Sequence, residues 1–347
     1  MLFIFFRALF TTFTAQNQYV MQAYVAAFTD QLREALTIGT NAQLNASSDP
    51  INHVVITGLG GSGIGGTIVS QLVAAEASVP FTVNKDYSLP GFVNGQTLVI
   101  ACSYSGNTEE TLSALEAAQA QGAQIAAVTS GGQLLELAQA KGYNHIVIPG
   151  GYPPRAAFAF SFTQLFFLLE HYGLIGDAFR GQLQGAIKLL DEEQEDIREM
   201  AAKVTEQCHQ RIPVLYSDDA YEGVAVRWRQ QINENSKMLC WHHAYPEMNH
   251  NELVGWTQID DRLSVVFLRN ETDFVRTQKR MDITRKIYEK YTPHITEVWS
   301  MGESDLERAL YLIHLGDWVS VQLADKRGID PVEVNVITGL KNELARL

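Results

Sequence analysis

The stretch "HVVITGLGGSGIGGTIVSQLVAA", residues 53–75, runs from an apolar, β-rich segment through a glycine-rich turn straight into a helical pattern. A strand followed at once by a helix is half of a βαβ unit, and such units build parallel sheets. The alternation continues with strands at "VPFTVNKDY" (79–87) and "TLVIACSYS" (97–105). "NTEETLSALEAAQAQG" (107–122) reads as a helix with a capping box at Asn107 and Glu110 and a stop at Gly122. The strand "QIAAVTS", the helix "QLLELAQAKG" and the strand "HIVIPG" follow, up to residue 150. Continuous apolar strands of this kind belong to a parallel sheet covered on both faces. Near residue 180 the pattern restarts with a long polar helix through "LLDEEQEDIREMAAKV". Strands follow at "IPVLYSD", "LSVVFLR" and "HITEVWS", with helices at "GVAVRWRQQINENSK", "DFVRTQKRMDITRKIYEKY" and "SDLERALYLIHLGDWVSVQLADKRG". The reading is an α/β chain of two similar units in tandem, 21–175 and 176–347, the second closing with a C-terminal helix. The boundary is expected near Gly173 to Gly181.

A length of 347 residues suffices for two such units, and 46% hydrophobic with 19% charged residues is a globular composition. The formal net charge of −13 repels nucleic acid and anionic membranes, so neither is expected as a partner. Three scattered cysteines, Cys102, Cys208 and Cys240, fit a reducing compartment, and a cytoplasmic location is expected. Each is read as a small buried hydrophobe rather than a catalytic thiol. "MLFIFFRALF" lacks a basic n-region, is interrupted by Arg7 and is too short to span a bilayer. Residues 1–20 are therefore expected to be a non-native or disordered extension, with Met21 as the natural start. "AAFAFSFTQLFFLL" (156–169) carries Ser161, Thr163 and Gln164, which suits a buried core or interface helix better than a membrane span.

Ligands of open parallel sheets bind beyond the carboxyl ends of the strands, and two loops there invite chemistry. In the first, Gly58, Gly60 and Gly63 fit the dinucleotide pattern G-x-G-x-x-G, with Asp86 at the distance of a ribose-binding acid. A bland reading also holds: glycines permit tight strand–helix packing. The second, "SYSGNTEET" (103–111), offers Ser103, Ser105 and Thr108 around Gly106, directly before a helix. Hydroxyls, free amides and a helix dipole converging on one small volume suit a phosphate monoester. The competing reading is a turn whose hydroxyls serve only its own backbone.

"GLGGSGIGG" followed by "SYSGNTEET" resembles the sugar isomerase (SIS) domain family, whose serine/threonine loop grips a sugar phosphate. "PPRAAFAF" (153–160), "NENSK" (233–237), "EMNHNELVGW" (247–256) and "RGIDPVEVNVITGLK" (327–341) sharpen this to the bifunctional phosphoglucose/phosphomannose isomerases, over residues 21–347. The resemblance implies two tandem SIS-type, flavodoxin-like domains, each a mostly parallel sheet flanked by helices. It implies no cofactor, leaving Asp86 incidental and the glycine loop as a place of close backbone approach. Phosphate contacts are expected from Gly60, Gly61, Ser62, Ser103, Ser105 and Thr108.

The implied reaction interconverts glucose 6-phosphate, and also mannose 6-phosphate, with fructose 6-phosphate through an enediolate. One base must lift a proton from one carbon and return it to the next. The resemblance assigns this to Glu234, which a raised pKa from burial would suit, where helical position alone suggests an ordinary surface carboxylate. It assigns ring opening to His250 and Lys341, and stabilisation of the enediolate, together with substrate contact, to Arg155. It further implies a homodimer whose active site borrows a residue, His250, from the neighbouring subunit. "WHHAYPEMNHNE" gathers His242, His243, Glu247, His250 and Glu252, a donor set that offers a metal site as the competing reading. Adjacent histidines on a strand point to opposite faces and no H-E-x-x-H helix is present, so no metal is expected. A sugar-phosphate sensor without turnover, an isomerase strict for one hexose phosphate and a nicotinamide-dependent oxidoreductase are the alternatives.

Overall fold

The computed structural model describes residues 16–47 and 49–346. The first sheet contains β1 (His53–Thr57), β2 (Phe81–Asn84), β3 (Thr97–Ser103), β4 (Gln124–Thr129) and β5 (Asn144–Val147) in the order β2-β1-β3-β4-β5. All pairs are parallel, with Val54 opposite Phe81, His53 opposite Thr97 and Leu98 opposite Gln124. This is the doubly wound order of flavodoxin-like sheets. The second sheet, of β6 (Ile212–Asp218), β7 (Trp241–Tyr245), β8 (Leu263–Arg269) and β9 (Ile295–Trp299), repeats it as β7-β6-β8-β9, again parallel. The expected two parallel sheets flanked by helices are therefore present.

The helices are α1 (Phe28–Thr40), α2 (Gly60–Leu72), α3 (Glu109–Ala120), α4 (Gly132–Lys141), α5 (Phe158–His171) and α6 (Ala178–Glu192). Beyond them lie α7 (Gln194–Cys208), α8 (Glu222–Ser236), α9 (Val275–Tyr288), α10 (Asp305–Lys326) and α11 (Asn335–Leu344). Every residue of β3 is buried, as its unbroken apolar sequence requires. In α5, residues Phe158 to Leu169 are all buried, which makes it the core helix its composition suggested. One apolar cluster runs from Ile56 and Ile100 of the first sheet through Phe158, Phe162 and Leu312 to Leu215 and Val266 of the second. Each such side chain contributes about 1.5–3 kcal/mol of burial, so the sheets share a core. No helix among the described residues is long and apolar enough to cross a membrane.

Some local expectations fail. The long polar helix is two helices, α6 and α7, broken at Glu193 (φ −98°, ψ 11°). The break lets both lay their apolar faces on α10. The capping box does not form, because Asn107 Oδ1 accepts from the Gln133 amide (3.0 Å) and α3 starts at Glu109 without a side-chain cap. Helix α1 was not foreseen as an element, and β7 was expected only as the strand bearing His242 and His243, outside the apolar strand series. Of the extension expected over 1–20, residues 1–15 lie outside the described residues. Residues 16–26 are helical, with Asn17 Nδ2 donating to Asp330 Oδ2 (2.7 Å) and Met21 buried. Burial pushes the Cys102 thiol up to about 12 and the Cys208 thiol to about 11, the behaviour of packed hydrophobes.

Candidate active site

Strand β1 ends at Thr57, and α2 begins at Gly60 with its first amides facing the carboxyl edge of the sheet. A Cβ on Gly63 would lie 2.2 Å from the Gly58 carbonyl oxygen, so part of the fingerprint serves strand–helix packing. Gly60 (φ 53°) faces open space, and Gly61 lies against Arg155, where a Cβ would be 3.5 Å from the arginine Cα. Asp86 is exposed and accepts from its neighbour, the Tyr87 amide.

The second loop leaves β3 beside this one. The Tyr104 amide donates to Ser62 Oγ (3.2 Å), tying the two loops together. Ser103 Oγ accepts from the Gly106 amide (3.1 Å) and lies 2.8 Å from Thr108 Oγ1, and Ser105 Oγ accepts from the Asn107 amide (3.3 Å). These hydroxyls do serve their own backbone, as the bland reading held, but chiefly as acceptors. A hydroxyl keeps its proton when it accepts. Ser62, Ser105 and one of the Ser103–Thr108 pair therefore each keep an O–H to donate, which is what a phosphoryl oxygen needs.

Arg155 stands on the 3-10 turn Pro154–Ala156, its side chain only 5% exposed. Its Nε donates to Asn235 Oδ1 (2.6 Å), its Nη2 to the carbonyls of Pro331 and Val332, and its Nη1 to Glu234 Oε2 (3.4 Å). Burial, the larger cause, holds its pKa below the usual arginine range, and Glu234 and Asp330 oppose that shift. Among the described residues four of its five guanidinium protons are engaged, which leaves one Nη1 proton free. The turn is itself anchored: Tyr152 N donates to the Tyr104 hydroxyl (2.9 Å), and Arg227 Nη2 donates to the Arg155 carbonyl (3.3 Å) and to Asp317 Oδ2 (2.7 Å). Glu234, in the last turn of α8, is 30% exposed, a more open carboxylate than the expected burial.

Gly60, Gly61, Ser62, Ser103, Ser105, Thr108, Arg155 and Glu234 thus form one connected neighbourhood. His250 and Lys341 do not join it. His250 ends the 3-10 turn Glu247–His250, Lys341 lies on α11, and both are exposed without a side-chain hydrogen bond among the described residues. The other motif histidines diverge as a strand requires: His243 Nδ1 meets Glu252 Oε2 (2.9 Å), while His242 Nε2 turns to Glu222 (3.6 Å). Among the described residues no three His, Cys, Asp or Glu side chains are grouped to hold a metal ion.

Sequence reasoning missed Asn235 and Lys237, which stand in the same "NENSK" run as Glu234. That run was their signal. Arg227 and Asp317 lie 90 residues apart, and nothing local announces their pairing.

The SIS domain family matches residues 50–170, and the bacterial phospho-glucose isomerase C-terminal SIS domain matches residues 197–344. The chain is 40% identical over 329 residues to the bifunctional phosphoglucose/phosphomannose isomerase of Caldicellulosiruptor bescii, covering 92% of this chain and 97% of that protein. It is 39% identical over 300 residues to the protein of that name in Aquifex aeolicus, covering 86% and 92%. In fold it is similar to the C-terminal domain of glucosamine-fructose-6-phosphate aminotransferase from Francisella tularensis (TM-score 0.68, 12% identity), covering 89% of this chain and 96% of that one. The chain belongs to the bifunctional phosphoglucose/phosphomannose isomerase family.

Proposed function

We propose that this protein is an aldose–ketose isomerase interconverting glucose 6-phosphate and mannose 6-phosphate with fructose 6-phosphate, without a metal ion. One observation carries the reading. A carboxylate, Glu234, is held 3.4 Å from a buried guanidinium that abuts the paired glycine and serine loops. The phosphate is bound by the hydroxyls of Ser62, Ser103, Ser105 and Thr108 and the amides at Gly60 and Gly61. Glu234 carries the proton between C1 and C2. The free Nη1 proton of Arg155 meets the enediolate oxygen, an interaction stronger with the developing anion than with the ground-state sugar.

His250 and Lys341 open the ring. Their exposure supports a homodimer in which the His250 turn of one subunit completes the site of the other. The units 21–175 and 176–347 are proposed as the two domains, and the cytoplasm as the location.

Purified protein incubated with each aldose phosphate, with fructose 6-phosphate assayed directly, tests the reading. Turnover of both sugars is expected, unchanged by exhaustive chelation. Glu234→Gln is expected to lose about 10²- to 10⁴-fold in kcat, the range for removal of a general base. Binding without turnover would favour a sensor, turnover of one sugar a strict isomerase, and Glu234→Gln at wild-type rate would remove the proton-transfer role.

A further inference from the structure

Lys237 closes α8 in the left-handed region (φ 53°, ψ 42°), where glycine or asparagine usually stands. Among the described residues only Gln210 shares a positive φ without being glycine. The conformation is held from two sides. Lys237 Nζ folds back to donate to the Glu234 carbonyl (2.5 Å), and Arg327 Nη1 donates to the carbonyls of Ser236 (2.9 Å) and Lys237 (3.2 Å). The ammonium shares its surroundings with Arg155, Glu234, Asp330 and Glu333, and burial and then Arg155 hold its pKa below the usual lysine value. Chain reversal alone would be served better by glycine. A lysine here keeps a disfavoured backbone and gains a cation bonded to the turn that bears Glu234. Such conformations concentrate at functional sites.

We propose that Lys237 is a positioning residue: its ammonium, bound to the Glu234 carbonyl, fixes the last turn of α8 so that the Glu234 carboxylate stays in register with Arg155 and the substrate carbons. This rests on the isomerase reading above and adds a residue to it. Three variants test it, Lys237→Gly, Lys237→Met and Lys237→Arg, in the full-length protein with glucose 6-phosphate as substrate. Lys237→Gly relieves the left-handed backbone, so its Tm is expected at or above wild type while kcat falls about 10- to 100-fold and KM changes little. Lys237→Met loses kcat similarly, and Lys237→Arg retains most of it. Ethylammonium restores part of the Lys237→Gly rate, whereas sodium chloride at equal ionic strength does not. Wild-type kcat in Lys237→Gly, or equal losses in the Gly and Arg variants, would overturn the assignment. Inactive wild-type protein would sink the isomerase reading instead, so the two failures are distinguishable.

Discussion

At the scale of single residues, the buried polar groups show what the fold protects. Arg155 is fixed by acceptors from two separate segments, residues 234–235 and 331–332, so its guanidinium cannot swing without leaving buried oxygens unpaired. His314 in α10 is buried for a different purpose. It stacks on Phe28 and accepts from Trp318 Nε1 through Nε2 (3.2 Å). Burial, and then Arg198, lower its pKa to about 3. Protonation would put the ring's second hydrogen on Nε2, which carries none while it accepts, and break the Trp318 bond. The unfolded chain therefore binds this proton first as the pH falls below the ordinary histidine value. Stability from the neutral ring is fully present above about pH 6.5 and is lost as the pH falls towards 3, by about 1.4 kcal/mol per pH unit. His314→Gln keeps an acceptor for Trp318 and cannot titrate. Urea unfolding at several pH values between 4 and 7 is expected to give a shallower decline for the variant by up to that slope. Parallel declines would mean that His314 takes up its proton in the native state.

At the scale of elements, the proposed phosphate loops lie at strand ends, and Gly106 is the position where the backbone leaves no choice. Its φ is 69°, and a Cβ there would fall 1.8 Å from the Gly131 carbonyl oxygen. Gly106→Ala must move the loop that orients Ser103, Ser105 and Thr108. We expect about 1–3 kcal/mol lost in stability and a KM for the hexose phosphate raised about tenfold or more, with kcat less affected. Thermal melts and steady-state kinetics on one preparation check both, and an unchanged KM would separate this loop from phosphate binding. These strands and loops were legible because their signals are local: unbroken apolar runs, glycine after the strand, hydroxyls before the helix. Where a distant partner wins, local reading fails. Asn107 serves Gln133 across the loop instead of capping α3. The break at Glu193 answers to α10, more than a hundred residues on. Strand β7 lacks the apolar signal of the other strands because its two histidines interrupt it, and its faces are set by Glu222 and Glu252.

At the scale of the whole molecule, the two halves of the motif set are unequally assembled. Glu234 and Arg155 meet within one chain, while His250 and Lys341 stand exposed. Lys341 rides on α11, a helix without a buried residue, whose Val336 and Leu340 are 87% and 61% exposed. Val336, Leu340 and Leu344 recur at a spacing of four and make a stripe suited to burial against a second copy. If the dimer shares its sites, each needs Glu234 from one subunit and His250 from the other. Glu234→Gln and His250→Ala homodimers are then both inactive. When the two are unfolded and refolded together, half the dimers are mixed. Each mixed dimer has one site with both defects and one intact site. Activity is expected to return to about a quarter of the wild-type value in a stoichiometric mixture. Sites built within single subunits cannot regain anything by mixing, so an inactive mixture that light scattering shows to be dimeric would refute the shared site.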